Sequence, residues 1–76
     1  MNNERRKMLR DAMSALAEVR AVIEQAASEE QDYLDNMPEN MQDSDKAQRA
    51  DEIASELTDI ASEMEDLDTR IEECLQ

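Results

Sequence analysis

Residues 50–76 read ADEIASE, LTDIASE, MEDLDTR and IEECLQ, three successive sevens and a final six of one acidic repeat. The first and fourth places of the sevens hold Ala50, Ile53, Leu57, Ile60, Met64, Leu67, Ile71 and Cys74. Apolar residues spaced three and four apart share one side of a helix, and an unbroken run of them is the seam of a helix packed on other helices. Ala47, Ala54 and Ala61 form a second edge beside that seam, where small side chains let another helix approach closely.

The same rhythm runs upstream through Leu9, Ala12, Leu16, Val19, Ile23, Ala26, Tyr33 and Met37, interrupted at Glu30. Met8, Ala15 and Val22 flank this stripe on one side and Met13, Ala27 and Leu34 on the other, a width that suits a bundle interior. Between the two stripes lies Asn36 to Ser44 with Pro38, which lacks an N–H and clashes with the preceding turn, so one long helix must break there. Asn36 and Glu39 fit a capping box for a short turn, Asp43 or Ser44 can cap the second helix, and Asn2 or Asn3 the first.

With no Gly, Phe, Trp or His and a single Pro and Tyr, the chain lacks the turns and aromatic or β-branched runs of a sheet protein. An all-α fold is expected, a single domain over 1–76 with helices at about 3–35 and 44–75 and a connector at about 36–43. Two rods of nearly equal length, about 45 to 48 Å at 1.5 Å per residue, make an antiparallel, coiled-coil-like hairpin. Folding about residue 40 sets Leu9 against Ile71, Leu16 against Met64 and Ile23 against Leu57. It also lays Arg5, Arg6 and Lys7 beside Glu72 and Glu73, closing the open end by charge.

Two helices cannot cover so wide a stripe, and a chain of 76 residues rarely gains more than about 3 to 5 kcal/mol from one core. A homodimer forming a four-helix bundle is expected, its packing seam built from Leu9, Met13, Leu16, Val19, Ile23, Ala27, Leu34, Ile53, Ala54, Leu57, Ile60, Ala61, Met64, Leu67 and Ile71. The alternative keeps the second edge for a foreign helix or groove. Glutamate at Ala54 and Ala61 is expected to break such a bundle contact and to leave a purely electrostatic function intact.

Charge is unevenly placed. Residues 1–20 carry five bases and three acids, residues 21–76 three bases and eighteen acids, which together give the net −13. Such a surface disfavours direct binding to nucleic acid or to anionic membranes, and suits a basic protein patch, including patches that hold DNA or RNA. On the outside of the second helix Asp51, Glu52, Asp59, Glu65, Asp66, Glu72 and Glu73 recur at heptad spacing, about every 10.5 Å. This column is the candidate partner-binding face, an imitation of a row of phosphates. The same residues can also be read as a solvated face that keeps a small bundle soluble, although helical surfaces ordinarily mix both signs.

Chemistry of other kinds finds little purchase. A di-iron bundle needs Glu-x-x-His, and there is no His. An EF-hand started at Asp43 has Gln48 where Gly is required and Ala54 where Glu is required. Ser14, Ser28, Ser44, Ser55 and Ser62 have no imidazole to activate them, so no enzyme, cofactor or metal is expected. Cys74 falls on the seam, where burial as a small hydrophobe or a disulfide across a dimer is expected. No apolar run nears the roughly 18 residues of a membrane span, so a soluble cytoplasmic protein is expected.

The connector Tyr33-Leu34-Asp35-Asn36-Met37-Pro38-Glu39-Asn40-Met41-Gln42-Asp43-Ser44, after an Asn2-Asn3-Glu4-Arg5-Arg6-Lys7 start, resembles a group of small acidic helical-hairpin proteins of phages and mobile elements. The resemblance spans most of the chain, and its distinctive motif is Asn-x-Pro-Glu-x-x-Gln at residues 36–42. That group has no assigned activity, so no functional residue is carried over. What the resemblance implies is a phage-type accessory protein that inhibits nucleic-acid machinery in the cytoplasm of a bacterial host. The expected function is therefore an acidic inhibitor masking a basic nucleic-acid-binding surface, the alternative being a scaffolding or assembly module that acts through its apolar seam.

Overall fold

A computed structural model of the chain describes residues 1–76 as an all-α hairpin without strands. Helix α1 (Asn3–Asp35) and helix α2 (Asp45–Leu75) pack along their length, joined by a connector with one 3-10 turn at Glu39–Met41. The result is a rod with extents of 59 × 15 × 13 Å.

Each helix begins at a side-chain cap. Asn2 Oδ1 accepts the Arg5 N–H at 2.8 Å, and Ser44 Oγ accepts the Ala47 N–H at 3.2 Å, satisfying amides that a first turn leaves open. Helix α1 stops because Pro38 is extended (φ −55°, ψ 146°) and offers no N–H. Asn36 belongs to this ending: it is still helical (φ −90°, ψ −1°), and its N–H donates to the Asp32 carbonyl at 3.0 Å. The capping box expected of Asn36 and Glu39 does not form. The 3-10 turn starts instead from the Pro38 carbonyl, which accepts the Met41 N–H at 2.8 Å, with no side-chain cap.

Gln42 does what sequence reading did not foresee. Its side-chain amide donates to the Leu34 carbonyl at 3.1 Å, in the last turn of α1, and to the Met37 carbonyl at 2.9 Å, just beyond the helix end. The connector is thereby clipped back onto the helix it leaves, which gives the glutamine of the Asn-x-Pro-Glu-x-x-Gln turn a structural role. Gln42→Ala removes both bonds, and thermal unfolding followed by circular dichroism should show a loss of about 1 kcal/mol. For a domain of this size that is a fall in Tm of about 4 to 8 °C; an unchanged Tm would mean that water replaces the clip without cost.

Of the fifteen residues expected in the packing seam, all but Val19 and Leu67 are buried or half-buried, and on both helices the second edge rather than the row of Val19 and Leu67 takes the innermost place. On α2 the inner line is Ala47, Ala50, Ala54, Leu57, Ala61, Met64, Asp68, Ile71 and Leu75, all buried or half-buried and spaced three and four apart. Ile53 and Ile60 are half-buried beside it, while Leu67 and Cys74 are exposed. On α1 the inner line is Arg6, Leu9, Met13, Leu16, Arg20, Ile23, Ala27, Glu30 and Leu34, with Ala12, Val19 and Tyr33 left exposed and Ala26 half-buried. The alanines explain the choice. All five fully buried residues are Ala27, Ala47, Ala50, Ala54 and Ala61, and a row without bulky side chains lets the two backbones approach closely.

The open end is not closed by salt bridges between the helices. None of the three ion pairs crosses between the helices: Lys7 to Asp11 and Arg20 to Glu24 lie within α1, and Arg49 to Glu52 within α2. Arg6 instead takes an inner place, its stem packed against the pair and its Nε buried without a hydrogen-bond partner.

Candidate functional site

This choice of innermost rows gives the rod two long sides of opposite character. One is apolar. The row Ala12, Val19, Ala26 and Tyr33 of α1 and the row Ile53, Ile60, Leu67 and Cys74 of α2 hold equivalent places next to the inner lines. In an antiparallel pair such places lie on the same side, and Tyr33 and Lys46, which stand in these rows, line one depression together with Glu30, Arg49 and Ala50. Beyond the α1 row come Met8 and Val22, each about two-thirds exposed. Every large apolar side chain that the helices leave exposed, namely Met8, Val19, Val22, Tyr33 and Leu67, lies on this side.

Cys74 also belongs to the apolar side. It is exposed near Leu67, Arg70, Ile71 and Glu73, in place of the buried thiol that the expected seam required. Leu75, one place on, takes the inner position.

The opposite side is polar. A shallow groove follows the alanine rows here, walled by Glu24, Ser28, Gln31 and Asp32 of α1 and by Thr58, Ser62 and Glu65 of α2, with Ala27, Ala54 and Ala61 at its base. The seven carboxylates singled out from the sequence, Asp51, Glu52, Asp59, Glu65, Asp66, Glu72 and Glu73, are all exposed. Asp51, Glu65 and Glu72 stand at heptad spacing along the groove edge, and Glu52, Asp59, Asp66 and Glu73 in the row outside them. Only Glu52 has a cation, the Arg49 Nη1 at 3.4 Å.

Helix α1 supplies acids that sequence reading missed. Glu24 and Asp32 face the α2 column across the groove, so the acidic surface is two-walled near the middle of the rod. The hairpin register carries that signal, since folding about residue 40 brings positions 24–32 opposite 48–56. Hydroxyls are occupied locally, with Thr58 Oγ1 donating to the Ala54 carbonyl at 2.8 Å and Thr69 Oγ1 to the Glu65 carbonyl at 3.2 Å.

No three His, Cys, Asp or Glu side chains come together in a way that could hold a metal ion. No helix is long and apolar enough to cross a membrane. Comparison with protein-family models, curated proteins and solved structures finds no match.

Proposed function

We propose that the hairpin works by binding, without catalysis, and that its acidic side docks on a basic protein surface of the kind that holds nucleic acid, thereby blocking it. The observation that carries this reading is a rigid column of seven exposed carboxylates of which six have no cation partner. Helix stability does not account for the column. Glu72 and Glu73 stand in the last turn of α2, which contains no base, where the helix dipole favours cations by about 0.3 to 1 kcal/mol each. A cationic groove would supply the missing counter-charges, and such a partner belongs in the cytoplasm, in a bacterial host if the phage kinship holds.

The test is a pull-down from bacterial lysate at low and high salt, with and without added duplex DNA or RNA. Nucleic-acid-binding proteins should be retained at low salt, lost at high salt, and displaced by the added nucleic acid. Capture that ignores both salt and nucleic acid would count against this reading.

The exposed Met8, Val19, Val22, Tyr33 and Leu67 favour a second reading, in which the hairpin is an assembly module that acts through its apolar side. The two readings use opposite sides of the rod, so one molecule can do both.

A further inference from the structure

We infer that the apolar side is covered by a second copy of this chain, related by a twofold axis, so that the working unit is a four-helix bundle with its two acidic sides facing outward. This pairing does not depend on what the acidic side binds; it names the occupant for the assembly reading.

Three observations favour a second copy. The first is the core. A single hairpin fully buries only five alanines, no large apolar side chain is fully enclosed, and Met8, Val19, Val22, Tyr33 and Leu67 still lack cover. The second is charge. The ten places of the two rows, from Arg5 to Tyr33 on α1 and from Lys46 to Cys74 on α2, include no Asp or Glu, in a chain where 21 of 76 residues are acids. Two molecules of net charge −13 can meet on these rows with most of their carboxylates held apart, whereas a cationic partner finds no carboxylate within the rows themselves. Arg49, Glu56, Glu63 and Arg70 rim the α2 edge with both signs, the polar border that an apolar contact ordinarily has.

The third is size. A side of 59 × 15 Å is roughly 900 Å², close to the roughly 800 Å² per partner that a stable complex buries. One face meeting itself is the isologous contact of a twofold dimer. Pairing on the other side would instead bury Asp32 and Glu65, which have no counter-ion, together with Glu24.

Light scattering on the eluting protein at micromolar concentration should give a mass near twice 8.7 kDa, falling on dilution together with the helical signal. Val19→Ser and Ile60→Ser, made separately, each remove one apolar group without adding charge and should weaken the dimer about tenfold or more. Ser55→Glu and Ser62→Glu, on the opposite side, should leave the dissociation constant within a few-fold. A monomer mass for the unaltered chain overturns the inference, and a helical signal that then stays weak until a foreign protein is added assigns the side to that partner. A dimer that ignores Val19→Ser and Ile60→Ser but dissociates on Ser62→Glu overturns it as well, by placing the contact in the groove. Should either serine variant fail to fold, the dilution series of the unaltered chain decides alone, because a monomer mass with concentration-independent helicity is incompatible with pairing.

Discussion

A single glutamate at Ala54 or Ala61 is expected to unfold the hairpin. These side chains are 4% and 6% exposed, in the row along which the helices meet. A longer side chain there forces the helices apart at a cost of about 1 to 3 kcal/mol. Its carboxylate must in addition either stay ionised without a partner or be driven neutral, which adds several kcal/mol. The sum equals or exceeds the about 3 to 5 kcal/mol that a core of this size supplies. Far-ultraviolet circular dichroism should show most of the helical signal lost for either variant, while Ser55→Glu, with the same charge beside Ala54 on an exposed place, keeps it. A helical and cooperatively melting Ala54→Glu would show that the alanine row is not the closest contact between the helices.

This result also changes what the substitution can report. Taken as residues of an outer edge, Ala54 and Ala61 are expected to separate assembly from acidic docking. Lying inside the hairpin, they would abolish both together. The substitutions that discriminate are those at Val19 and Ile60, on the side where large apolar groups stay open.

The period of the fold is legible in the sequence, and its phase is not. Residues spaced three and four apart from Ala50 to Cys74 require a helix with one inner side, and Pro38 between two such stripes requires a hairpin. Two adjacent rows compete for the inner place on α2, however: Ile53, Ile60, Leu67 and Cys74, or Ala54, Ala61, Asp68 and Leu75. Hydrophobicity favours the first, close approach of the backbones favours the second, and the second is observed. Asp68 reads as an outer residue by its charge, as do Arg6, Arg20 and Glu30 on α1, and all four are half-buried. Side chains of this kind can cover apolar surface with their stems while their polar ends reach the edge. The exposure of the seven carboxylates of the α2 column follows from the period alone, because they avoid both candidate rows. The second acidic wall at Glu24 and Asp32, and the clip made by Gln42, need the three-dimensional register.

Replacing Asp59, Glu65, Asp66 and Glu72 by lysine is expected to abolish binding to a basic partner while the fold persists. Each replacement changes the charge by two, taking the net value from −13 to −5. On the acidic side it exchanges attraction for repulsion at four points of one column. At roughly 1 kcal/mol or somewhat more per reversed contact, the loss is about a thousandfold or greater in affinity. The helices should tolerate it. Asp59 lies one turn from Glu56 and Glu63, and Glu72 one turn from Asp68, so cations at these positions gain neighbours of opposite sign. A cation at Glu72 also complements the C-terminal end of the α2 dipole, where no base now stands. Helicity by circular dichroism and mass by light scattering should therefore stay as they are while retention of the partner disappears. If the four-lysine variant instead holds its partner within a few-fold and without salt dependence, the column is a solvated face. The apolar side would then be the only surface left to carry function.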